Sequence, residues 1–65
     1  MTILINSHPR DVSATTVQSL LRELGLLPSQ VATEHNGTVL FPHELSEAVL
    51  HEGDRLEIVR VVAGG

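Results

Sequence analysis

Apolar and polar positions alternate along several stretches of the chain and take a helical period along another. Thr2-Ile3-Leu4-Ile5-Asn6 reads as a strand, with the β-branched Ile3 and Ile5 on one face and Leu4 on the other. Asn6-Ser7-His8-Pro9 is a turn signal. Pro9 has no N–H to donate, so the next strand, about Arg10 to Ser13, is expected at a sheet edge, and the two strands form a hairpin. Val17, Leu20, Leu21 and Leu24 then fall at i, i+3, i+4 and i+7, one stripe of an amphipathic helix. Thr15 and Gln18 have capping-box spacing, Gly25 stands where a glycine closes a helix, and Pro28 prevents the helix from resuming.

Val31-Ala32-Thr33-Glu34-His35 reads as a third strand. Asn36-Gly37 is a strong signal for a two-residue hairpin turn, returning through Thr38-Val39-Leu40-Phe41. Pro42 ends that strand, and the span from Pro42 to Leu50 reads as a loop or a single helical turn that drops Leu45 and Val49 into the core. After the turn Glu52-Gly53-Asp54, the last strand runs from Arg55 to Val62, with Leu56 and Ile58 on one face and Glu57, Val59 and Val61 on the other.

The order predicts an α+β domain, a small mixed sheet of four to five strands with one helix packed on one face. The first and last strands are the most β-branched and belong at the centre, paired in parallel. The uncovered face then carries Leu4, Val59 and Val61, an apolar group suited to docking a partner.

Composition narrows the classes. The 65 residues make one domain, and without cysteine it is held by an aliphatic core, since Phe41 is the sole aromatic. A net charge of −4 with four dispersed arginines argues against nucleic acid, and no apolar run has the length of a membrane span. A soluble, cytoplasmic protein, monomeric when free, is expected. His8, His35, His43 and His51 lack the spacing of a local metal-ligand pair and read as surface histidines, so no metal site is expected. Glu44, Glu47, Glu52 and Asp54 read as a solvated acidic face.

The chemistry points to the end of the chain. Gly64 and Gly65 follow an apolar strand where no turn is needed, and without side chains they fit a narrow channel. A carboxylate becomes an acyl donor once ATP turns it into an acyl-adenylate. The division predicted is a domain over 1–62 and a flexible tail over 63–65, with Ala63 and Gly64 leading to Gly65. No nucleophile–base arrangement or phosphate loop is interpretable, so the chain is not expected to be an enzyme.

These residues resemble the sulfur carriers of thiamine biosynthesis, the ThiS family, which have the β-grasp, ubiquitin-like fold. The resemblance covers essentially the whole chain. It rests on Val31-Ala32-Thr33-Glu34-His35-Asn36-Gly37, on Gly53-Asp54-Arg55-Leu56-Glu57-Ile58-Val59 and on the terminal Gly64-Gly65. In place of Val61-Val62-Ala63, many members carry a bulkier aromatic near the diglycine.

The resemblance implies that an E1-like (ThiF-like) enzyme adenylates Gly65 with ATP and Mg²⁺, which the chain itself does not bind. A sulfur donor such as a cysteine desulfurase then supplies the sulfur of a thiocarboxylate, and a ThiG-like thiazole synthase collects it. Leu4, Val59, Val61 and Arg60 would dock on the partner. Sulfur delivery to molybdopterin or to tRNA thiolation, and a ubiquitin-like protein modifier, remain alternative uses of the same tail.

Overall fold

The computed structural model describes residues 1–61. Its elements are β1 (Thr2–Ile5), β2 (His8–Asp11), α1 (Val17–Glu23), β3 (Val31–His35), β4 (Thr38–Leu40) and β5 (Arg55–Arg60), with short 3-10 turns at Pro28–Gln30 and Pro42–Glu44. The sheet order is β2-β1-β5-β3-β4. The first and last strands are therefore interior and parallel, as expected, with Leu4 beside Arg55 and Ile5 beside Leu56. The α+β, β-grasp architecture follows, one helix on one face of a five-stranded mixed sheet.

The first hairpin differs in its turn. Asn6 and Ser7 alone form it, both at positive φ (50° and 70°), so β2 begins at His8 and Pro9 lies within it opposite Leu4. Two consecutive left-handed residues give the turn whose twist matches the flanking strands. Pro9 is tolerated because β2 is an edge strand.

Capping of α1 lies one residue later than the Thr15–Gln18 spacing suggests. The Thr16 hydroxyl accepts from Ser19 N–H at 3.1 Å, and Ser19 Oγ accepts from Thr16 N–H at 3.1 Å. The first two helical N–H groups are satisfied from outside, Val17 by the Ala48 carbonyl at 2.9 Å and Gln18 by the Leu45 carbonyl at 3.0 Å. All the orphan donors of the first turn are thus accounted for. At the other end Gly25, at φ 76°, closes the helix. Its N–H bonds the Arg22 carbonyl and that of Leu26 bonds the Leu21 carbonyl, the double bond of a Schellman motif.

The buried apolar residues are Ile3, Val12, Ala14, Val17, Leu20, Leu21, Leu45, Leu50 and Leu56. Leu45 is buried as predicted, but Val49 is not: it is 53% exposed, and Leu50 takes the core position at 3%. The segment opens with the expected helical turn, Pro42–Glu44, but at Val49 and Leu50 the backbone is extended. Val49 forms an antiparallel bridge to Thr16, and Leu50 N–H donates to the Thr15 carbonyl at 2.8 Å. In extended backbone successive side chains point to opposite sides, so the residues flanking Val49 turn inward. No helix of the described residues is long and apolar enough to cross a membrane.

Candidate functional site

The chain delivers its end from the middle of the sheet. β5 has β1 on one side and β3 on the other, and its register with β3 pairs Leu56 with His35, Glu57 with Glu34, Ile58 with Thr33, Val59 with Ala32 and Arg60 with Val31. The last anchor in the described residues is Val61, whose N–H donates to the Gln30 carbonyl at 2.9 Å. Gly65, Gly64 and Ala63, expected to form the reactive tail, lie outside the described residues, as does Val62 at the predicted end of the last strand.

The face of the sheet away from α1 is set by these registers. Glu57, Glu34 and Val39 form one row across β5, β3 and β4, and Val59 stands beside Ala32 in the next. Ala32, Thr33, Glu34, Val39, Glu57 and Val59 line a shallow depression. Val59 and Val39 are both well exposed. Val61 continues the alternation of β5 and shares this face.

The four residues expected to dock together do not lie together. Leu4 is on the open face but half-buried, beside Arg55 at the start of β5. Four residues of strand, about 13 Å at ~3.3 Å per residue, separate that level from Val59. Arg60 is on the helix side of the sheet, opposite Val31, because its parity is that of Ile58 and Leu56. Val59 and Val61 keep the predicted face, and the structure adds Val39 and Ala32 to them. That addition was available in the sequence, since a two-residue Asn36-Gly37 turn forces Val39 opposite Glu34.

The charges on this face are unbalanced. Glu34 and Glu57 are direct cross-strand partners with like charge, an arrangement that destabilises a sheet. Arg55 is the one cation on the open face among the described residues, and no arginine nitrogen there comes within the 4.0 Å of an ion pair with either carboxylate.

A second polar group lies at the end of the sheet where β5 begins. His35 is not a surface histidine. Its side chain is only 15% exposed, and its Nε2 lies 2.8 Å from Asp54 Oδ2. The parity of Val31 and Thr33 places it on the covered face. Asp54 likewise is not part of a solvated acidic face. It accepts from the His51 backbone N–H at 2.9 Å and from the Asn36 side-chain amide at 3.2 Å. Burial pushes the Asp54 carboxyl up, but the bonds from His35, His51 and Asn36 outweigh it and hold its pKa below the ordinary 3.8. His8, His43 and His51 are exposed, as expected. Among the described residues no group of three or more His, Cys, Asp and Glu side chains is placed to hold a metal ion.

Two asparagines complete the frame around β5. Asn6 Oδ1 accepts from Ile58 N–H at 2.8 Å, and Asn6 Nδ2 donates to the Ile58 carbonyl at 3.1 Å, continuing by side chain the pairing that β1 ends at Ile5. Asn36 does the same on the other edge, accepting from Arg55 N–H at 2.8 Å.

The sequence matches the ThiS family model over residues 3–65. It is 38% identical to a thiazole synthase of Paramagnetospirillum magneticum and 38% identical to one of Magnetococcus marinus, each match covering 100% of this chain. The chain spans only 20% of the length of those two relatives. It is 29% identical to the sulfur carrier protein ThiS of Thermus thermophilus, covering 97% of this chain and 98% of that one. The fold superposes on the crystal structure of a thiamine biosynthesis protein (ThiS) from Geobacter metallireducens with a TM-score of 0.84 at 28% identity, over 100% of both chains.

Proposed function

The chain belongs to the ThiS family, and we propose that it is a sulfur carrier of thiamine biosynthesis whose working group is the Gly65 carboxyl. The observation that carries the proposal is the family match running to residue 65, through the diglycine that follows the central strand. In the first step a Gly65 carboxylate oxygen attacks the α-phosphorus of ATP and pyrophosphate leaves. The terminal sulfur of a donor persulfide then attacks the acyl carbon and AMP departs with the former carboxylate oxygen. A thiol attacks the donor-side sulfur of the acyl disulfide so formed, is itself oxidised to a disulfide with the donor, and releases the thiocarboxylate, so that one oxygen is replaced by sulfur. With no cysteine in the chain, the cargo sits on the acyl carbon itself.

The chain is substrate in each step and catalyses none. An E1-like enzyme would bind the ATP and Mg²⁺, a donor such as a cysteine desulfurase would supply the sulfur, and a thiazole synthase would take it. On this reading the carrier would work in the cytoplasm, as a monomer between partners. From Arg60 to Gly65 an extended backbone spans about 20 Å at ~3.3 Å per residue. Val59 and Val61 would hold the partner at the base of that reach, with Arg60 turned to the other side and Leu4 at the far end of the face.

Intact-mass measurement after incubation with activating enzyme, ATP and sulfur donor tests the reading. The expected product is heavier by the difference between one sulfur and one oxygen, and a chain lacking Gly65 shows no such product. An unchanged mass for the full chain, or high-mass conjugates to other proteins in its place, would refute it.

A further inference from the structure

A protein under selection for stability alone has little reason to set two carboxylates directly across a strand pair. Glu34 and Glu57 do this on the open face, with no cation of the described residues in ion-pair contact. They flank the depression whose apolar members are Ala32, Val39 and Val59. The face is thus an apolar shelf bounded by two carboxylates that share a neighbouring depression with one arginine, Arg55, which pairs with neither, in a chain whose net charge is −4. A surface of this kind is completed by its converse: an apolar side chain that fills the depression, with a lysine or arginine beside it to sit between the two carboxylates.

We propose that Glu34 and Glu57, with Val39 and Val59, form the recognition surface for the thiazole synthase, which presents an apolar side chain and an adjoining basic one. The proposal rests on the sulfur-carrier reading above and specifies the partner of that site. Of two observations, the first favours the synthase as occupant and the second any partner that works on the tail. Sequences 38% identical to this chain occur within thiazole synthases of which it matches 20% of the length, so in those relatives a domain of this kind and the synthase travel as one chain. The depression also adjoins Val59, two residues before the last anchored residue of β5, so a partner seated on it lies at the root of the tail.

The test uses the full chain with the purified thiazole synthase of the same cell, binding being measured by titration calorimetry at low and high salt. The double variant Glu34→Gln/Glu57→Gln is expected to bind about ten-fold more weakly or worse at low salt, and to lose most of the salt dependence shown by the unaltered chain. Its melting temperature should be unchanged or higher, because a repulsive pair has been removed. Val59→Ser should weaken binding while keeping the salt dependence. The double variant should still acquire sulfur from activating enzyme and ATP, a mass readout that keeps this proposal separate from the carrier reading.

Equal affinity of the double variant and the unaltered chain would overturn the proposal. So would normal synthase binding combined with failure to load sulfur, which would assign the face to the activating enzyme. Failure of the unaltered chain to bind the synthase at micromolar concentration would overturn it too, with the mass readout still deciding the carrier reading by itself.

Discussion

Val49 and Leu50 offer a sharp test of how the loop before β5 is built. A helical reading of Pro42 to Leu50 buries Val49, whereas the extended bridge to Thr16 exposes it and buries Leu50 at 3%. Leu50→Ala removes a core side chain next to the N-terminus of α1, and truncations of this kind cost about 2–5 kcal/mol. A 65-residue domain has roughly 3–10 kcal/mol of total stability at ~0.05–0.15 kcal/mol per residue. The Leu50 truncation therefore removes a large fraction of it. Val49→Ala, at a site 53% exposed, should stay within about 0.5 kcal/mol. The volume-conserving Leu50→Ile should cost less than about 1.5 kcal/mol and keeps the site measurable if Leu50→Ala does not fold.

With no tryptophan or tyrosine in the chain, urea denaturation is best followed by far-ultraviolet circular dichroism. Each kcal/mol lost should also lower Tm by about 4–8 °C in a domain of this size. Equal costs for Val49→Ala and Leu50→Ala, or a larger cost at Val49, would refute the extended alternation and restore the helical reading.

Two further perturbations address the polar frame of β5. Asp54 has a folded pKa below its ordinary 3.8, so its charged form contributes stability above that value and the contribution is lost as pH falls through the folded pKa. The stability difference between the unaltered chain and Asp54→Asn, measured by denaturant titration, should therefore shrink as pH drops below about 4; a difference that stays constant down to about pH 2 would refute the assignment. Asn6→Ala removes two bonds to Ile58 and places alanine at φ 50°, an expected loss of about 2–3 kcal/mol. Hydrogen exchange should show faster exchange of the Ile58 amide, and unchanged protection there would rule out the side-chain pairing.

What the sequence conveyed follows from which forces act locally. The Val17-Leu20-Leu21-Leu24 stripe, the glycine that ends it and the Asn36-Gly37 turn are local signals, and each appears where its pattern places it. The Asn6-Ser7 turn was harder to delimit because no glycine marks its two left-handed residues. Capping falls on Thr16 and not on Thr15 because the first two helical N–H groups, of Val17 and Gln18, are taken by the distant carbonyls of Ala48 and Leu45. His35 and Asp54 are 19 positions apart, and their contact depends on β3 and β5 being neighbours. His35 shares parity with the buried Thr33, so it lies on the covered face and not at the surface expected from the sequence.

Of the candidate site, the apolar alternation of Val59 and Val61 was readable. Their company was not, because Leu4 and Val59 are joined by sheet face but separated by strand length, a quantity fixed only by the register of β1 on β5.

That register is where the polar frame and the proposed chemistry meet. β1 pairs with β5 at only two positions, Leu4 with Arg55 and Ile5 with Leu56, so the register of β5 rests mainly on its five pairs with β3 and on bonds from outside the β1 ladder. Asn6 adds a two-bond clamp at Ile58, and Asn36 clamps Arg55 from the other edge. A slip of one residue would turn Val59 and Val61 toward the helix and bring Arg60 to the open face. It would also change the reach of the tail by about 3.3 Å, enough to take a reacting carbon out of attack distance in a partner's active site. The asparagines of the two hairpin turns therefore do more than shape turns. They fix which side chains β5 presents on the open face, the side on which the proposed partner would seat.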